Sequence, residues 1–88
     1  DEQELKEILL HEDRFLSLRV RGDGPTAQLA GRPLRSTEFP LETLLVLVER
    51  NGTAMVPKGD TEIRPGDRLT FLGSEAGIEE LRSRYRPH

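Results

Sequence analysis

The run Leu44-Leu45-Val46-Leu47-Val48, followed closely by Asn51-Gly52, limits what this chain can fold into more than any other feature. A short apolar run bounded by turn residues reads as a strand, because a helix needs a longer periodic stretch. Side chains alternate across a strand, so an unbroken apolar run puts apolar groups on both faces. Leu41 to Arg50 is therefore expected to be a central strand covered on both sides. Asn51-Gly52 suits a type I′ turn, in which both central residues take positive φ. Thr53 to Val56 should return antiparallel, and Pro57, which has no N–H to donate, should end the pairing.

The rest of the pattern fits around that hairpin. From Arg14 to Arg21, Leu16, Leu18 and Val20 alternate with Ser17, Arg19 and Arg21, the period of a half-buried strand, and Gly22-Asp23-Gly24-Pro25 ends it. Thr26 to Pro40 is irregular, with Pro33 to Glu38 forming one or two helical turns that start on proline. Gly59-Asp60-Thr61 and Arg64-Pro65-Gly66-Asp67 are turns around a short extended piece, Thr61 to Ile63, and Pro65-Gly66 fits the centre of a type II turn. Arg68 to Leu72 is a further strand. Ser74 is a good N-cap for a last helix, with Ile78, Leu81 and Tyr85 as its apolar stripe, Glu75 near its start and Arg82, Arg84 and Arg86 near its end. Residues 1–13 are acidic, with Leu5, Ile8 and Leu9 at helical spacing, and read as a linker or helical connector to a domain over 14–88. The expected class is α+β: a small, largely antiparallel sheet with a short helix after the first strand and a C-terminal helix. The short helix is expected to cover part of the central strand's second face, and a second copy of the domain the rest.

Composition removes several classes of function. A chain of 88 residues with 34% apolar content has a thin core, which association would help. A net charge of −3, with three Phe and one Tyr, offers neither a basic footprint nor stacking platforms for nucleic acid. The absence of cysteine excludes disulfides and thiol chemistry and fits a reducing compartment. No apolar run approaches the ~20 residues of a membrane-spanning helix. A chain that begins at Asp1, with Met55 as its one methionine, reads as a piece of a longer protein.

Three segments carry a family resemblance. They are Leu29-Ala30-Gly31-Arg32-Pro33-Leu34, Leu45-Val46-Leu47-Val48-Glu49-Arg50-Asn51-Gly52, and Val56-Pro57-Lys58-Gly59-Asp60-Thr61 with Pro65-Gly66-Asp67-Arg68-Leu69. In this order and spacing they resemble the TrkA-C (RCK C-terminal) domain family, from about Phe15 to Tyr85. The resemblance implies a non-catalytic, dimerising regulatory domain in the cytoplasm, on or beside a membrane transporter or channel, with potassium or cation/proton antiport the foremost class. It implies a homodimer and a transporter membrane domain as partners, no nucleic acid, and no insertion into the membrane. The alternative is a structural oligomerisation domain without a ligand. No cofactor is implied. Some members bind a small regulatory ligand, notably cyclic di-AMP, at the dimer interface. There an arginine near the end of the short helix and an asparagine opening the next strand matter. Here that strand opens Glu42-Thr43-Leu44, and Pro40-Leu41 stands near the arginine's place. The Gly-rich nucleotide fingerprint of the partner RCK N-terminal domain is absent.

The ligand-contact candidates are Arg32 and Arg35, as anion contacts beside Gly31, with Leu44, Leu45 and Val46 on the central strand. Asp60 and Asp67 each follow a glycine and are expected to hydrogen-bond nearby backbone in their turns. His11-Glu12-Asp13 are consecutive and do not converge on one ion, so no metal site is expected. Ser17, Ser36, Ser74 and Ser83 lack a nucleophile elbow, and neither histidine is placed to serve them, so no catalytic residues are expected.

Overall fold

The computed structural model describes residues 14–86. The connector expected over 1–13 lies outside the described residues. Four strands form one antiparallel sheet: β1 (Phe15–Arg19), β2 (Thr43–Arg50), β3 (Thr53–Met55) and β4 (Arg68–Gly73), in spatial order β1-β4-β2-β3. A single α-helix, α1 (Glu75–Tyr85), follows β4. The connection from β1 to β2 carries two 3-10 segments, Pro25–Leu29 and Leu34–Ser36, in place of the one short helix expected. Pro25 begins the first, where its missing N–H costs nothing.

The β2–β3 hairpin turns as its dipeptide dictates: Asn51 has φ 52° and Gly52 φ 78°. Gly66 has φ 93°, and Asp67 N–H donates to the Arg64 carbonyl at 3.1 Å, as a type II turn requires. Ser74 caps α1, its Oγ accepting from Gly77 N–H at 3.0 Å. Thr61 to Ile63 is extended, and it forms a ribbon with residues 31–35. Gly31 N–H donates to the Ile63 carbonyl at 2.8 Å, Leu34 N–H to Thr61 at 2.9 Å and Arg35 N–H to Gly59 at 2.9 Å.

Strand register decides which side chains share a face. Leu16 and Leu18 on β1, Leu69 and Phe71 on β4, and Leu45 and Val48 on β2 lie on one face. Ile78, Leu81 and Tyr85 of α1 cover it, together with Leu29 and Ile63. Phe39 meets Phe71 edge to face, with ring centroids 5.0 Å apart. The other face carries Phe15, Leu72 and Leu44 in one row, then Ser17, Thr70 and Leu47, then Arg19, Arg68 and Glu49. A register shift between Leu45 and Leu47 makes Val46 the bulged residue.

Two expectations are corrected here. β2 is an interior strand, between β4 and β3, yet the described residues cover one of its faces and not both. The segment Pro33–Glu38 does not cover the second face, because Leu34 packs on the same cluster as α1. Its backbone is tied to residues 59–61, which hold it on the helix side.

Candidate functional site

The outer face of the sheet is apolar at one end. Leu44 is 64% exposed there, and Val56, which continues the outward parity of Ala54 past the end of β3, is 75% exposed. Leu41 is 89% exposed in the turn that leads into β2. That turn is fixed from below. Glu42 holds φ 64°, Thr43 Oγ1 donates to the Pro40 carbonyl at 2.5 Å, and Ser74 N–H donates to the Glu42 carbonyl at 3.0 Å. A non-glycine residue at positive φ costs roughly 1–2 kcal/mol, so the surrounding bonds must hold it there. The fold thus presents Leu41 and Leu44 on an anchored backbone.

A second feature lies on the helix side. A cleft of about 430 Å³ runs between the C-terminal turn of α1 and the two 3-10 segments, with Arg32, Arg84 and Glu38 on its walls and Leu29 and Tyr85 beneath. Arg84 is held in place, donating to the Glu38 carbonyl at 3.3 Å and pairing with Glu80 at 3.4 Å.

The sequence-predicted contacts divide between these two places. Arg32 lines the cleft. Arg35 lies on the ribbon beside Gly59. Leu44 faces outward, Val46 occupies the half-buried bulge, and Leu45 turns inward against the core. The five residues do not form one pocket within a single protomer. Val56 shares the outward face with Leu44 and was missed, whereas exposed Leu41 lies beside Phe39, Pro40 and Glu80. Counting side-chain parity outward from the Asn51-Gly52 turn places Val56 with Leu47 and Glu49 but puts Leu44 on the opposite face, and only the bulge at Val46 brings Leu44 round to it.

Asp67 forms a lock at the base of the β2–β3 hairpin. It is 1% exposed, and its two oxygens accept from Arg50 Nε at 2.8 Å and Nη2 at 2.7 Å. Asp67 also accepts from Arg64 N–H at 2.9 Å, and Arg50 Nη2 donates to the Glu62 carbonyl at 2.9 Å. The Arg50 hydrogen bonds outweigh burial and hold the Asp67 carboxyl below the usual carboxylate range, and Asp67 in turn raises Arg50. The expected backbone bond of Asp67 is present, whereas Asp60 makes none among the described residues. In that loop Thr61 Oγ1 accepts from Lys58 N–H at 2.9 Å instead. Among the described residues no group of three or more His, Asp or Glu is placed to hold a metal ion.

Fold and site together define a small single-sheet α+β domain with one covered face, one presenting face that is apolar at one end, and a salt-bridge lock at the hairpin base. The chain belongs to the TrkA-C domain family, whose model matches residues 24–85. It is 34% identical over 61 residues to the Trk system potassium uptake protein TrkA of Azorhizobium caulinodans, covering 69% of this chain and 13% of that protein. It is 39% identical over 51 residues to the K(+)/H(+) antiporter NhaP2 of Shewanella baltica, covering 58% of this chain and 9% of the antiporter. The chain therefore spans about an eighth or less of these relatives' length. A solved structure of an RCK domain "with cda" superposes with a TM-score of 0.68 at 26% identity, over 83% of this chain and 99% of that one. The RCK_C domain dimer of S. agalactiae BusR in complex with c-di-AMP shares the fold, with a TM-score of 0.64 at 19% identity, over 82% and 95%.

Proposed function

We propose that this chain is the cytoplasmic regulatory and dimerisation module of a membrane ion transport system, with potassium uptake or cation/proton antiport as the class. Family membership and the names of the relatives support the transport assignment. No helix among the described residues is long and apolar enough to cross a membrane, so the transport path belongs to another part of the parent protein or to a partner chain. The observation that carries the reading is the presenting face. Leu44, on the backbone anchored by Glu42 and Thr43, and Val56, just past the end of β3, stand 64% and 75% exposed. Covering a large apolar side chain is worth about 1.5–3 kcal/mol, so a second copy packed there gains from both protomers at once. Leu44 and Val46 then lie at the dimer seam, where a small regulatory ligand would act through its differential affinity for two arrangements of the dimer.

A second reading, an oligomerisation module without a ligand, is favoured by the residues around that face. Glu42 leads into β2, and Thr43-Leu44 opens that strand where an asparagine serves the members that bind cyclic di-AMP. A carboxylate at this entry disfavours a doubly anionic ligand.

Sedimentation velocity of the wild-type chain and of Leu44→Glu, with and without cyclic di-AMP, tests both. Dimer in the wild type and monomer in Leu44→Glu supports association through this face. A wild-type chain that stays monomeric at high concentration overturns it. Dimer that cyclic di-AMP leaves unchanged selects the ligand-free reading for that compound.

A further inference from the structure

The outer face of the sheet grades from apolar to basic along β1 and β4. Phe15 and Leu72 form the first row, Ser17 and Thr70 the second, and Arg19 and Arg68 the third. Phe15 is half-buried and Leu72 is buried there, outside the cluster that packs under α1. Arg19 and Arg68 are exposed and stand directly opposite each other, where like charges repel. Arg19 donates to the Gly66 carbonyl at 3.3 Å, and Glu49 opposes Arg68 from β2, but neither arginine forms an ion pair among the described residues. Even with Glu49, the third row keeps a net positive charge. The segment that enters β1 grades the same way in reverse. Residues 1–13 lie outside the described residues, but their order is plain in the sequence. Going back from the short link His11 to Arg14, Leu9, Ile8 and Leu5 come first, at helical spacing, and Glu4, Glu2 and Asp1 come last. Six of the thirteen residues are acidic and one, Lys6, is basic.

We propose that residues 1–13 fold back as an amphipathic helix over the β1–β4 half of their own sheet's outer face. Ile8 and Leu9 rest on Phe15 and Leu72, Leu5 crosses the Ser17–Thr70 row, and Glu2 and Glu4 meet Arg19 and Arg68. The two gradients fix the direction. A helix returning antiparallel to β1 brings its leucines to the apolar end and its glutamates to the basic end together. The dimensions agree. Glu2 to Leu10 makes a helix about 13 Å long, against about 16 Å for the five residues of β1. A helix about 10 Å across covers roughly two strands at about 4.8 Å spacing. His11 to Arg14 reach about 13 Å at most, which holds the returning helix over its own strand. Leu44 and Val56 lie towards β2 and β3 and stay open to a second copy, so this cover stands or falls separately from the dimer reading.

Urea unfolding of the full chain, followed by Tyr85 fluorescence, tests this. Ile8→Ser removes a covered apolar side chain and should lower the folding equilibrium constant about ten- to hundred-fold. Glu7→Gln, on the opposite side of that helix, should change it less than about two-fold, the range of ordinary surface substitutions. Charge reversal locates the docking. Glu2→Lys with Glu4→Lys, and Arg19→Glu with Arg68→Glu, should each destabilise the chain. The four together should be roughly five-fold more stable than additivity predicts, because the pairs re-form with their signs exchanged. The Ile8→Ser effect should be the same over about a hundred-fold range of protein concentration. The proposal fails if Ile8→Ser changes the constant by less than about two-fold, as expected of a segment in solvent. It fails if the four charge reversals simply add, which places the segment on another surface. It also fails if the Ile8→Ser effect grows with protein concentration, which places the segment on a second copy.

Discussion

Replacing Arg50 by leucine tests the lock beneath the hairpin. Arg50 reaches the helix side of the sheet because it shares the inward parity of Val48, and there it meets Asp67 with two bonds of 2.8 and 2.7 Å. Arg50→Leu keeps much of the aliphatic stem but leaves a carboxylate that is 1% exposed facing an apolar group. Removing one partner of a buried pair costs about 3–5 kcal/mol. The 24% exposure of the Arg50 side chain admits some water and puts the expected value near 3 kcal/mol. Total stability for a domain of this size is about 5–15 kcal/mol, so the loss is severe. At about 4–8 °C per kcal/mol, the midpoint should fall by roughly 12–24 °C. Tyr85, buried against the core and the one tyrosine in a chain without tryptophan, provides a fluorescence signal for urea unfolding. Adding Asp67→Asn should recover most of the loss, because the amide oxygen still accepts from Arg64 N–H while the buried charge is gone. The pH dependence follows from the same pair. The folded-state pKa of Asp67 lies below its unfolded value of about 3.9, so its contribution is fully present above that value. It is lost as pH falls through the folded pKa. Asp67→Asn should therefore flatten the acid limb of the stability curve. If Arg50→Leu costs less than about 0.5 kcal/mol, the range of ordinary surface changes, the lock is not structural and the reasoning is refuted.

Two further outcomes concern the helix start, each read by the same urea titration. Gly77 packs against the turn before β2, where an added Cβ would lie 2.9 Å from the Leu41 carbonyl oxygen and 2.8 Å from Thr43 Cγ2. Gly77→Ala gains about 1 kcal/mol of helix propensity but costs about 1–3 kcal/mol in overpacking, so net destabilisation is expected, and a stabilised variant would contradict the packing. Ser74→Ala removes the 3.0 Å cap bond to Gly77 N–H and should cost about 1 kcal/mol, whereas Ser74→Asp should cost little.

What the sequence revealed and what it concealed divides by distance along the chain. The hairpin, the type II turn at Pro65-Gly66 and the Ser74 cap depend on adjacent residues, and all three form as their residue types require. The double cover of β2 did not follow, because apolarity on both faces shows what needs covering and not which element arrives. Pro33–Glu38 goes to the helix side because residues 59–63 bond its backbone, a pairing across more than twenty residues that local pattern does not encode. The Arg50–Asp67 lock joins residues 17 apart, and sequence reading found only the local half of it, the bond to Arg64 N–H. The 3-10 segment at Pro25–Leu29 did carry a signal, a proline in first-turn position followed by a buried Leu29. The candidate site followed the same rule. Arg32 stood out in its own segment, whereas Arg84, which lines the same cleft, comes from the far end of the chain.

On the proposed association, the energetics of the presenting face lie close to balance. Two protomers covering Leu44 and Val56 gain about 4–8 kcal/mol, since about 1.5–3 kcal/mol for a fully exposed side chain scales with their 64% and 75% exposure. Immobilising one protein on another costs about 4–15 kcal/mol. The gain and the cost overlap, so dimerisation of this chain should be weak and concentration-dependent, and sensitive to small additions. A transporter that tethers two copies supplies one such addition, by raising their effective concentration. A ligand at the seam supplies another, since a preference of about 1.4 kcal/mol for one arrangement shifts the equilibrium ten-fold. A face that closed strongly on its own would hold the dimer in one state and leave such a ligand nothing to control. The marginal closure expected from Leu44 and Val56 is what a regulatory module needs. A wild-type dimer too tight to dissociate at submicromolar concentration would contradict it.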